Sequence, residues 1–94
     1  MENFKTLASF FKALGEENRL RILKALKEGE LSVGDLVIRL EISQPLVSHH
    51  LRELKLANLV KSRKEGPYVF YQLKTSKIFE LIRLAKSLTE ETNA

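Results

Sequence analysis

Apolar residues return along this chain at helical spacing for most of its length and at strand spacing in one short stretch. Phe4, Leu7, Phe11 and Leu14 lie 3, 4 and 3 positions apart with Ala8 and Phe10 alongside, predicting an amphipathic first helix over about 3–14 that stops at Gly15. Glu16, Glu17 and Asn18 then open a second helix with acids at its electropositive end. Leu20, Ile22, Leu23 and Leu26 are expected to turn inward, and Gly29 to end it. Ser32 is placed to cap a short third helix, with Asp35 returning the hydrogen bond of a capping box, and Val33, Leu36, Val37 and Leu40 form its inner face.

A fourth helix follows almost at once, over Ser43 to Asn58, and the rest of the chain reads as its support. At 100° per residue Val47, Leu51 and Leu54 fall together with Leu46, His50 and Ala57 beside them, while Gln44, Pro45, Ser48, His49, Arg52 and Lys55 share the opposite arc. Ser43 is suited to capping this helix, Pro45 lies in the first turn where its missing N–H costs little, and Ile42 and Val47 are spaced for a hydrophobic staple. Two short helices joined by so brief a turn form a helix-turn-helix over about 32–57. Such a helix suits a DNA major groove, where base edges offer donors and acceptors, although the same pattern also describes a solvated amphipathic helix.

Beyond Asn58 the period changes. Leu59 to Arg63 and Tyr68 to Lys74 read as strands around the turn sequence Lys64 to Pro67, a β-hairpin or wing over about 59–74. Ser76 to Leu88 then predicts a last helix over about 76–89, carrying Ile78, Leu81, Ala85 and Leu88 with Phe79, Ile82 and Leu84. Its apolar arc of about 220° exceeds the stripe that packing on one core requires. Pairing with a second subunit accounts for the excess, with Phe4, Leu7 and Phe11 of the first helix and Ile78, Leu81, Ile82, Ala85 and Leu88 of the last as the interface. Enclosure of the last helix within one protomer is the competing account. The final Glu91 to Ala94 is expected to be loose.

Composition changes this picture in three respects. The net charge of +4 is concentrated in residues 43–64, where Arg52, Lys55, Lys61, Arg63 and Lys64 face one acid, Glu53, so the surplus marks a phosphate-facing surface. The wing cations Lys61, Arg63 and Lys64 can touch backbone phosphates, or can simply blunt an exposed sheet edge. There is no cysteine, which closes disulfide, thiolate and thiol-redox chemistry. No 18-residue apolar run and no signal-peptide pattern occurs, so one cytoplasmic domain over 1–94 without a membrane partner is expected.

In its order of elements and in the phrases ALGEENRLRIL (Ala13 to Leu23), ELSVGDL (Glu30 to Leu36), SQPLVSHHLREL (Ser43 to Leu54) and ANLVKSRKEGPYVFYQL (Ala57 to Leu73), the chain resembles the ArsR/SmtB family of winged helix-turn-helix repressors. The resemblance covers roughly Phe4 to Leu88. It implies a mainly α fold with a small β-hairpin, in the order α-α-α-α-β-β-α, and a homodimer through the first and last helices. Such a dimer binds an inverted-repeat operator in double-stranded DNA and blocks transcription until an effector lowers its affinity.

Carried over by position, the reading residues fall on Gln44, Ser48 and His49, with Ser43 and Arg52 near phosphates and Arg63 and Lys64 on the wing. The side chains are chemically suited: Gln44 to adenine, Ser48 to donors or acceptors, Pro45 to a thymine methyl. Gln44 could instead cap the first turn, His49 could be merely solvated, and His50 fits a packed structural role. Two departures stand out. Ser32 and Gly34 occupy the places of the family's metal-binding cysteines, and no histidine follows His50, leaving Glu80, Glu90 and Glu91 as poor ligands for soft metals. Hence no metal or cofactor is expected, and the effector is unknown. A winged helix used only as a protein-interaction module is the alternative function. Enzymatic activity is excluded, for want of a nucleophile with its base or a phosphate-cradling glycine loop.

Overall fold

The computed structural model describes residues 3–91 and opens on Asn3, whose side chain accepts the Thr6 amide at 3.1 Å and so starts α1 (Phe4–Leu14). Glu16 does the same for α2 (Glu17–Ala25), its carboxylate accepting the Arg19 amide at 3.1 Å. A 3-10 turn, Leu26–Glu28, carries the chain to Gly29, whose φ of 149° only glycine adopts readily. The expected capping box is complete. Asp35 donates its amide to the Ser32 hydroxyl at 3.0 Å, and Ser32 donates its amide to the Asp35 carboxylate at 3.1 Å, starting α3 (Val33–Leu40). These bonds hold the Asp35 carboxyl below its usual range.

Gln44–Leu56 forms α4 and Ile78–Glu91 forms α5. The looseness expected at the C-terminus falls, beyond Glu91, outside the described residues. Between these helices the wing is tighter than its sequence suggested. Val60–Glu65 (β2) and Tyr68–Leu73 (β3) pair antiparallel down to Glu65 with Tyr68, so Lys64 and Glu65 belong to the strand. Only Gly66 and Pro67 make the turn. Gly66 takes φ of 59°, the positive value that a two-residue hairpin demands at its first central position. A further strand, β1 (Leu31–Ser32), was not anticipated. It pairs with β3 on the side away from β2, giving a three-stranded sheet in the order β1-β3-β2.

The core lies where α2, α3 and α4 meet under the sheet. Ile22 and Leu23 of α2, Leu36 of α3, and Val47, Leu51 and Leu54 of α4 have no exposed surface, and Leu26 and Val60 have almost none. Three side chains depart from expectation. Leu20 is 39% exposed because it sits 200° round α2 from Ile22, on the flank toward α5, which covers it only in part. Leu46, 38% exposed, lies in the first turn of α4 beyond the edge of the core. Ile78, expected at a subunit interface, is 5% exposed and packs into the protomer's own core. It begins α5, where the chain has just left β3.

Among the described residues one polar side chain shares this interior. His50, 5% exposed, accepts a hydrogen bond at Nδ1 from Arg19 Nε (3.1 Å), and its Nε2 lies 3.4 Å from the Glu16 carboxylate. An accepting Nδ1 places the proton of the neutral ring on Nε2, facing the acid. Arg19 also donates to the Ala13 carbonyl at 3.4 Å, so one arginine ties the end of α1 to the middle of α4. Burial lowers the His50 pKa, the Arg19 and His49 charges push the same way, and Glu16 opposes them.

Two outcomes follow from these contacts. Ser32→Ala removes the cap of α3 and should lower stability by about 1 kcal/mol in denaturant unfolding. For His50 the unfolded chain takes up a proton near the ordinary value of 6.5 while the folded chain resists it, so stability should fall as pH drops below 6.5. The depressed carboxyls Asp35 and Glu30 give up their contribution only at lower pH. Unfolding midpoints measured between about pH 7.5 and 5.5 should therefore decline for the wild type and decline much less for His50→Gln.

Candidate nucleic-acid interface

A helix with one wholly buried side presents the other to solvent by geometry alone, and α4 does so. Gln44, Pro45, Ser48, His49, Arg52 and Lys55 are all exposed on the arc opposite Val47, Leu51 and Leu54. The Ser43 hydroxyl accepts the Leu46 amide at 3.3 Å, so the cap is supplied by Ser43 and Gln44 is left on the surface. The turn that sets α4 across α3 has three residues, Glu41 to Ser43. Glu41 takes a left-handed φ of 57°, and its amide closes on the Val37 carbonyl at 3.0 Å.

Strand alternation sorts the wing cations into two groups. Ser62 and Lys64 share the face that carries buried Val60, and Lys55 of α4 donates to the Ser62 hydroxyl at 2.8 Å, joining the helix to this side of the wing. Lys64 is thus on the α4 side. Lys61 and Arg63 point to the opposite face. Arg63, expected to touch phosphates or to blunt the sheet edge, is engaged within the protomer. Its Nε and Nη2 each donate to Glu30 at 2.7 Å, its Nη1 donates to Glu65 at 2.9 Å, and its guanidinium stands 4.7 Å from the centre of the Phe70 ring. The hydrogen bonds from Arg63 hold the Glu30 carboxyl below its usual range, and both acids raise the Arg63 pKa. Neither Ser62 nor Glu30 was singled out by its sequence. The alternation of β2 could have flagged Ser62, but Glu30 lies 33 residues from Arg63 with no local sign of the pairing.

Along the terminal helices Phe4 (67% exposed), Leu7, Phe11, Leu84, Ala85 and Leu88 stand open, and Leu81 and Ile82 are half-buried against the core. Phe11, Leu14 and Leu20 face Leu81, Ile82 and Ala85 across an apolar groove of about 320 Å³. Among the described residues no three His, Cys, Asp or Glu side chains converge as a metal site, and no helix is long and apolar enough to cross a membrane. The Ser32 hydroxyl, at a place where the family resemblance implied a metal-binding cysteine, is engaged as a helix cap.

Comparison with known proteins agrees with this geometry. The sequence profile of the arsR family of bacterial regulatory proteins matches residues 16–62, from the start of α2 into β2. An uncharacterised HTH-type transcriptional regulator of Methanocaldococcus jannaschii is 43% identical, the match covering 94% of this chain and all of that one. The structure of HlyU from Vibrio cholerae, described as a transcriptional activator, is 42% identical with a TM-score of 0.78, covering 94% of this chain and 97% of that one. A winged helix-turn-helix DNA-binding domain from Mycobacterium bovis, described as homodimeric, is 28% identical with a TM-score of 0.80, covering 95% of this chain and 82% of that one. By profile, relatives and fold alike, this chain belongs to the ArsR family of winged helix-turn-helix transcriptional regulators, and is not an enzyme.

Proposed function

We propose that two copies of this chain pair through α1 and α5, place their α4 helices in successive major grooves of an inverted repeat about 34 Å apart, and repress transcription by occupying that operator. The observation that carries this reading is the arc of α4. Groups able to read bases and bind phosphates are exposed along one side of a helix whose other side is locked in the core, and residues 43–64, which run from its cap into the wing, carry a net charge of +4. Gln44, Pro45, Ser48 and His49 are assigned to base edges, and Ser43, Arg52, Lys55 and Lys64 to the phosphate backbone. Lys61, on the outer face of the wing, adds to the attracting field.

The dimer is supported by the row of exposed apolar side chains on α1 and α5, which water would otherwise cover, and by the homodimeric description of the Mycobacterium bovis domain. Because Ile78 is already buried in the protomer, the interface is assigned to Phe4, Leu7, Phe11, Leu81, Ile82, Leu84, Ala85 and Leu88. Repression is the simplest consequence of a dimer covering its site. HlyU is described as an activator and a Synechocystis relative as a repressor, so both signs of regulation occur among proteins similar to this chain.

Selection of bound duplexes from a random library should return a palindromic consensus, and size exclusion with light scattering should report a dimer. A monomer indifferent to duplex DNA would instead identify a protein-interaction module. Gln44→Ala should relax base preference at one position in each half-site, an effect of about 1–3 kcal/mol. Uniform weakening on all sequences would remove Gln44 from the bases. Leu88→Glu, at a site already exposed in the protomer, should leave the fold intact and yield monomers. Their affinity for the full repeat should drop about a hundredfold or more as the second half-site ceases to be tethered.

A further inference from the structure

We infer that Glu30 and Arg63 form a clamp across the sheet that sets the wing against the helix-turn-helix, making Arg63 a positioning residue and leaving the wing's phosphate contact to Lys64. This rests on the DNA-binding reading above and assigns the parts of its wing.

Occupancy is the first ground. All three guanidinium nitrogens of Arg63 are bonded, two of them in a fork to both oxygens of Glu30 and the third to Glu65. Phe70 covers one face of its plane. A phosphate approaching this arginine would meet two carboxylates and a guanidinium with three of its five N–H donors already engaged, whereas fork-to-fork pairing is the arrangement that fixes geometry best.

Placement is the second. β1 and β2 are not neighbours, since β3 runs between them, and β1 is held to β3 only at Leu31 with Tyr71 and Ser32 with Phe70. Arg63 stands directly opposite Phe70 in the β2–β3 register. The Glu30–Arg63 fork therefore passes over the middle strand at Phe70 and joins two strands that share no backbone bond. Glu30 immediately precedes β1, whose Ser32 caps α3. The clamp thus connects the start of the helix-turn-helix to the outer strand of the wing. Lys64 is the next residue along β2, so alternation sends it to the face where Lys55 of α4 meets Ser62, and it forms no ion pair among the described residues. Fixing Arg63 on one face fixes Lys64 on the other.

The competing account makes Glu30 a restraint that holds Arg63 back from DNA, and the two differ in sign. Affinity for the selected operator is measured against salt for the wild type, E30Q, R63Q, E30Q/R63Q and K64Q, with E28Q as control for the loss of one exposed acid. The clamp predicts that E30Q binds about two- to fivefold more weakly than E28Q, the range of an exposed ion pair, with an unchanged slope of log K against log[salt]. R63Q should behave alike and the double variant no worse, while K64Q flattens the slope by about 0.9 for each subunit's lost phosphate. Tighter binding with a steeper slope in E30Q, or a flattened slope in R63Q, would overturn it.

A second readout needs no DNA. The amides pairing β1 with β3 should exchange faster in E30Q, and the Arg63 Nε–H resonance should be displaced and slow to exchange in the wild type but not in E30Q; unchanged exchange and resonance would also sink the clamp. If the wild type binds no duplex, the functional reading falls, and these signals still decide the clamp.

Discussion

Everything the exposed side of α4 can do depends on the burial of its other side. Val47, Leu51 and Leu54 have no surface left, and each such side chain is worth roughly 1.5–3 kcal/mol when removed from water. That is a large share of the 5–15 kcal/mol that stabilises a typical domain. Rotation of α4 by a single residue would swing these groups outward by 100° and draw Ser48 or Arg52 into the core. The orientation of the polar arc is therefore fixed before any ligand arrives. Its composition specifies what can be recognised, and the core decides that it faces outward.

Apolar packing alone leaves a helix free to slide along its axis, and three polar attachments suppress that freedom. The Ser43 hydroxyl fixes the first turn, His50 meets Arg19 and Glu16 near the middle, and Lys55 reaches Ser62 at the end. The middle attachment couples more than two helices, because Arg19 also holds the Ala13 carbonyl at the end of α1. A displacement of α1 is thereby felt at α4 through one side chain. On the far side of the sheet the Glu30–Arg63 pair ties the wing to the residues that begin α3, so helix and wing are anchored from separate directions.

What could be read from the sequence was what nearby residues determine. The α4 wheel separated buried from exposed positions at Val47, Leu51, Leu54 and His50, and the Ser32–Asp35 box and the Ser43 cap were visible because each involves partners three residues apart. A two-residue strand has no period to detect, so β1 stayed hidden, and with it the register that brings Glu30 over Phe70 to Arg63. Leu20 and Ile78 exchanged their expected environments for a related reason. Which neighbour covers a helix flank depends on how α5 leaves the sheet, and no local pattern encodes that path. Cation number was legible along the wing, whereas the face each cation occupies required the strand boundaries.

Ile78 roots α5 in the core while Leu84 and Leu88 extend beyond it, and this makes the helix a lever. Its 14 residues span about 21 Å, so a tilt of about 5° at the root carries the tip roughly 2 Å. In the proposed dimer that sweep would reposition the opposite protomer's reading head by a sizeable fraction of the 3.4 Å between stacked base pairs. Affinity for a two-part site could then be tuned from the helix tip, by any influence that bends the joint, without disturbing a single group that meets the double helix.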